Sequence, residues 1–69
     1  MLTRKQLGAR IREKRTAAGL SQKELALMIG VPPDAIARYE SDQATPSLER
    51  LEAIAQRLQC GLETLIYDK

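Results

Sequence analysis

Apolar positions recur every three or four residues along most of this chain, which is the period of helices. Leu7, Ile11 and Ala18 mark the buried stripe of a first helix. Thr3 is its expected N-cap, and Gln6, three residues later, completes a capping box. Gly19 ends that helix and Leu20 turns back to the core. Ser21 caps a second helix, with Glu24 as the reciprocal acceptor. Within it Leu25 and Ile29 share one face, and the small Ala26 beside them admits a close neighbour. Gly30 has no Cβ to oppose the left-handed conformation that ends a helix. Pro32 at the cap position and Pro33 after it open a third helix, which buries Ile36 and Tyr39. Ser47 caps a fourth, with Leu48, Leu51, Ile54, Ala55 and Leu58 as its apolar face. Gly61 precedes a short fifth helix carrying Leu62, Leu65 and Ile66. The pattern predicts an all-α, compact five-helix bundle, and no repeat or low-complexity tract interrupts it.

The stretch QKELALMIGVPPDAIARYE, residues 22–40, organises the rest. Two short amphipathic helices joined by a glycine-containing turn form a helix-turn-helix, expected here over about 22–41. At about 100° per residue, Pro33, Asp34, Ala37, Arg38 and Ser41 share one stripe of the second of these helices. Ile36, Tyr39 and Glu40 lie on the opposite side. Arg15 falls on the buried stripe of the first helix, four residues after Ile11, where an unpaired charge is expensive. Glu40 is its expected partner.

Taken in order, LGARIREKR, GLSQKELALMIGV, IARYE and PSLERLEAIAQRL resemble the phage repressor and Cro-type (XRE-like) helix-turn-helix DNA-binding domains. The resemblance runs from about Leu7 to Ile66. It implies a lambda-repressor-like fold, a single domain over residues 1–69, and a sequence-specific regulator of transcription, a repressor by expectation, that binds double-stranded DNA. It also implies the Arg15–Glu40 pair, tying the first helix to the end of the recognition helix. In such a protein Pro33, Asp34, Ala37 and Arg38 face the major groove, and the Gln22 side chain meets phosphate or the edge of an end base. Ser21, Gln22 and Lys23 at one helix start, with Ser41, Gln43 and Thr45 in the loop SDQATP, are the expected phosphate contacts. A solvent-facing loop is the plainer reading of the last three. Leu65, Ile66 and Tyr67 are expected either to form a homodimer surface or to close the core.

Two departures from the family pattern matter. Where relatives usually cap the third helix with Ser or Thr, Pro32 supplies no side-chain oxygen. Asp34 either compensates at the positive end of the helix dipole or accepts a hydrogen bond from cytosine N4. Pro33 and Ala37 offer apolar contact only. Arg38 is left as the one strong base reader, through a bidentate contact with guanine; a phosphate contact or an exposed ion pair is the alternative. Asp42 stands where relatives often have Gly, in a position that asks for left-handed backbone.

Charge supports a polyanion on one face. Residues 1–30 carry seven Lys or Arg against two Glu, whereas residues 31–69 carry four against seven acids. A solvated helix surface is the plainer reading of those first cations. No His and a single Cys remove Ser-His, Cys-His and zinc chemistry. Glu49 and Glu52 read as a polar helix face, and the four glycines form no phosphate loop. An enzyme, a cofactor and a small-molecule ligand are therefore not expected. Cys60 reads as a small buried hydrophobe rather than a reactive thiol. No apolar run approaches the roughly 20 residues of a membrane span, and no export signal is visible, so a cytoplasmic location is the default. The rival reading is a protein-interaction module, such as an antitoxin or regulatory subunit, since Pro33, Asp34 and Asp42 weaken a DNA-facing surface.

Overall fold

The computed structural model describes residues 4–66. Five helices follow one another: α1 (Arg4–Ala17), α2 (Gln22–Ile29), α3 (Ala35–Glu40), α4 (Leu48–Arg57) and α5 (Leu62–Ile66). No strand occurs among the described residues. The α1 cap expected at Thr3 lies outside them.

One core joins all five helices. Ile11, Leu25, Ile36, Ile54 and Leu65 are fully buried at its centre, one from each helix. Leu7, Ala26, Ala35, Tyr39, Leu51, Ala55 and Leu58 surround them. At about 1.5–3 kcal/mol for each large apolar side chain, this set supplies the drive to fold without a disulfide. Half-buried Cys60 packs against it, and burial pushes its thiol pKa up, opposed by nearby Lys14. The residue packs on the core as expected, but half-buried rather than buried.

Four helices stop by the same device, a residue in left-handed conformation that lets the chain satisfy the last carbonyls. After α1 it is Gly19 (φ 75°), with the Leu20 N–H donating to Arg15 O at 3.2 Å. After α2 it is Gly30 (φ 73°), with Val31 N–H on Ala26 O at 3.0 Å. Asp42 takes the role after α3 (φ 68°), with Gln43 N–H on Arg38 O at 2.9 Å. Gln59 takes it after α4 (φ 56°), with Cys60 N–H on Ala55 O at 3.0 Å. Gly61, expected just before the fifth helix, stands there, with α5 beginning at Leu62.

Three expectations are corrected. Ala18 is exposed, because α1 has already ended and the chain is turning. Leu48 is 61% exposed; as the first residue of α4 it lies beyond the edge of what α2 covers. Pro32 does not cap α3. The pyrrolidine of Pro33 biases Pro32 away from helical backbone, so 32–35 form a turn, Ala35 N–H to Pro32 O at 3.0 Å, and α3 starts with Asp34 as N-cap.

The deepest polar contact is the expected ion pair. Arg15 Nε donates to Glu40 Oε2 at 2.6 Å and Nη2 to Oε1 at 3.1 Å, while Nη1 donates to Leu20 O at 2.7 Å. The side chains are 10% and 4% exposed. Hydrogen bonding to Glu40 raises the Arg15 pKa against the opposing effect of burial. Gln22 Nε2 adds a third donor to the carboxylate, at 2.9 Å. Near it Gly8 lets α1 approach α3: a Cβ there would stand 2.5 Å from Tyr39 O and 3.0 Å from Glu40 O.

Glu40→Ala should cost about 3–5 kcal/mol, because it strands a buried guanidinium. That is a large share of the roughly 3–10 kcal/mol total expected at this length, so a urea titration should find the unfolding midpoint moved to much lower urea than in the wild type. Gln59→Gly should act oppositely. Relieving a left-handed non-glycine should add about 0.5–1 kcal/mol and raise Tm by a few degrees in a thermal melt.

Candidate nucleic-acid interface

The helix-turn-helix places α2 behind α3 and leaves one side of α3 open. Pro33, Asp34, Arg38 and Ser41 are exposed and Ala37 is half-buried, while Ile36 and Tyr39 face the core. The outward stripe expected from helical spacing is therefore the exposed one. Its charged members meet each other: Arg38 Nε lies 3.2 Å from Asp34 Oδ2, with the side chains 61% and 64% exposed. Asp34 makes no side-chain hydrogen bond to the start of its helix. Its carboxylate contacts Arg38, one turn on.

The start of α2 forms the second part of the surface. The Ser21 hydroxyl accepts from Glu24 N–H at 3.0 Å, and Glu24 Oε1 accepts from Ser21 N–H at 2.8 Å. The complete capping box leaves the Gln22 and Lys23 N–H groups as the first-turn donors without intrahelical acceptors. Lys23 is exposed beside them. The Gln22 side chain is half-buried and its amide nitrogen is engaged by Glu40. As a partner for DNA it has its carbonyl oxygen and its second amide N–H to offer, and its orientation is held by the buried ion pair.

The loop after α3 is the third part. Ser41 N–H donates to Ala37 O at 3.0 Å, and its hydroxyl lies 3.4 Å from Arg38 O. The Gln43 N–H is taken by Arg38 O, so this residue offers its exposed side chain. Thr45 is exposed, and Pro46 behind it is buried and anchors the loop.

Leu65 is not on a surface. It is fully buried, so it closes the core, and the expectation that it forms a dimer surface is corrected. Ile66 is partly buried against the same core, and Tyr67 lies outside the described residues.

Arg50 escaped the sequence reading. Its Nη1 donates to the Tyr39 hydroxyl at 2.7 Å and joins the start of α4 to the last turn of α3. A signal existed: a cation in the first turn of a helix opposes the dipole and needs a compensating contact. Nothing in the sequence pointed to Tyr39 as that contact. Among the described residues no cluster of His, Cys, Asp or Glu could hold a metal, and no helix is long and apolar enough to cross a membrane.

The capping box is a pH-sensitive element. The Ser21 backbone N–H, and then its hydroxyl, hold the Glu24 carboxyl below the ordinary glutamate value. With the folded pKa depressed, the contribution is present above the unfolded pKa and is lost as pH falls through the folded one. An NMR titration of the Glu24 carboxyl should show that depression. Ser21→Ala should reverse it only in part, since the backbone donor survives; an unchanged titration would contradict the box.

Comparison with known proteins agrees with this geometry. A helix-turn-helix family model matches residues 11–65. The repressor protein C2 of Salmonella phage P22 is 35% identical over 60 residues, covering 87% of this chain. The match spans only 28% of that repressor's length. Among solved structures, the restriction-modification controller protein C.AhdI from Aeromonas hydrophila superposes with a TM-score of 0.86 at 33% identity. That superposition covers 91% of this chain and 96% of the controller. The P22 c2 repressor in complex with a synthetic operator gives a TM-score of 0.84, also at 33% identity and with the same coverage. The family match over most of the chain, the repressor similarity and the shared fold make this chain a member of the phage repressor/Cro-type helix-turn-helix family.

Proposed function

We propose that the chain is a sequence-specific double-stranded DNA-binding regulator of transcription, acting as a repressor by occupying an operator. The observation that carries this is the exposed α3 stripe ending in Arg38, set on a helix locked from behind by Arg15 and Glu40. It is joined by the similarity to a repressor solved on its operator.

In this reading α3 enters the major groove with Pro33, Asp34, Ala37 and Arg38 toward the bases. Arg38 meets guanine O6 and N7, and Pro33 and Ala37 supply apolar contact. Gln22, steadied by Glu40, meets a base edge or phosphate at the end of the site. Backbone N–H groups of Gln22 and Lys23, the Lys23 ammonium, the Ser21 and Ser41 hydroxyls, the Gln43 amide and the Thr45 N–H hold phosphates. One small module buries limited area. The bound form is accordingly a two-fold dimer on half-sites one helical turn apart, assembled through the C-terminal end, where α5 offers Ile66. The protein works in the cytoplasm, as one domain over residues 1–69.

Selection from random duplex DNA tests the proposal. The wild type should recover a palindrome containing guanine, and binding should weaken steeply as salt rises. Arg38→Ala should lose about 1–3 kcal/mol of discrimination at that guanine, about 5- to 150-fold. No enrichment at low salt, by a protein whose circular dichroism is helical, would remove the proposal and leave the interaction-module reading.

A further inference from the structure

We infer that Asp34 sets how strictly this protein reads guanine, by holding the Arg38 guanidinium in a reading position. The inference rests on Arg38 being the base reader and goes beyond it, because it assigns Asp34 a positioning role rather than a base contact.

The geometry points one way. An arginine fork has an Nε edge and two terminal amino groups. Asp34 Oδ2 stands 3.2 Å from Nε. Among the described residues Nη1 and Nη2 make no hydrogen bond or ion pair, so the two donors that guanine O6 and N7 require remain open. Asp34 lies four residues before Arg38, the favourable order for an acid and a base on one helix.

The other duties of Asp34 are unfilled. It occupies the N-cap position but makes no side-chain cap bond. Of the carboxylate that would accept from a cytosine N4, Oδ2 already stands beside Arg38. Of the other members of the stripe, Pro33 and Ala37 carry no side-chain group able to steady a guanidinium, and the Ser41 hydroxyl lies 3.4 Å from the Arg38 carbonyl oxygen rather than on the guanidinium.

Charge explains the consequence. A carboxylate on a face presented to phosphates lowers affinity for every sequence alike. An arginine without a carboxylate beside it has long, rotamer-rich freedom to swing to a phosphate, which carries no sequence information. Asp34 therefore trades general affinity for selectivity. The exposed pair is weak in water, but it strengthens once the groove excludes solvent from both groups.

The test uses the full chain as wild type, Asp34→Ala, Asp34→Asn, Arg38→Ala and the double variant Asp34→Ala/Arg38→Ala. Both positions are exposed, and a thermal melt checks that each variant folds. The probes are a duplex carrying the recovered site, the same duplex with 7-deazaguanine or adenine at each guanine in turn, and a random duplex. Asp34→Ala and Asp34→Asn should bind the random duplex more tightly than the wild type. Their discrimination at the guanine lost in Arg38→Ala should fall by about tenfold. In the Arg38→Ala background, adding Asp34→Ala should change that discrimination by less than about twofold, the mark of two residues acting as one. If Asp34→Ala keeps full discrimination at that guanine, or loses it at a cytosine instead, the positioning role is overturned while the reading of Arg38 stands. If Arg38→Ala loses discrimination nowhere, the reading of Arg38 itself is what fails.

Discussion

A single carboxylate holds the binding unit together. Glu40 sits at the end of α3 and accepts from Arg15 of α1 twice and from Gln22 of α2 once. Burying a guanidinium beside a carboxylate gains little over a pair of well-packed apolar residues. Its value is orientation. A bidentate fork accepts one geometry, and that geometry fixes the end of α3 against the helix behind it and the helix before it. The approach of α1 is close enough that Gly8 passes directly over the Tyr39 and Glu40 carbonyls. Because α3 is six residues long, it has little helical stability of its own. It keeps its shape because Ile36 and Tyr39 are gripped from below and Glu40 is gripped at its end.

The interface inherits its precision from that anchor. Gln22, half-buried, links α2 to the buried pair, and in the proposed reading it also meets DNA. The Tyr39 hydroxyl reaches Arg50, which ties α4 to α3. The outer stripe is plain by comparison, two prolines' worth of turn, one alanine, and an acid–base pair. In the proposed reading, a surface so sparing in polar groups places most of its selectivity on one arginine. In the same reading, the carboxylate beside it, 3.2 Å from Nε, matters more than its exposed position suggests.

Much of this was legible without coordinates. Serines before acidic or apolar turns marked the caps at Ser21 and Ser47, because unsatisfied amides at a helix start need an oxygen. Glycine and aspartate marked left-handed stops at 19, 30 and 42, because few residues tolerate that backbone. Arg15 on an apolar stripe announced a buried partner, since a lone charge there is too costly. All of these signals are local or follow one helical period.

What remained hidden depends on how far each neighbour reaches. Periodicity placed Leu48 and Ala18 on apolar stripes, yet coverage ends before either. It placed Leu65 on a terminal helix that could face outward, and packing turned it fully inward. Gln59 took a left-handed turn that its own chemistry does not favour, because Cys60 and Leu62 had to reach the core. Arg50 found Tyr39, and Arg38 found Asp34, through side-chain geometry that no spacing rule ranks above its alternatives. The sequence alone determined the five helices, most of their ends and the buried ion pair, since each follows from local backbone chemistry or from the cost of an unpaired charge. Only tertiary structure decided which apolar residues are covered and which polar partners meet, because those depend on where surfaces from distant parts of the chain come to an edge.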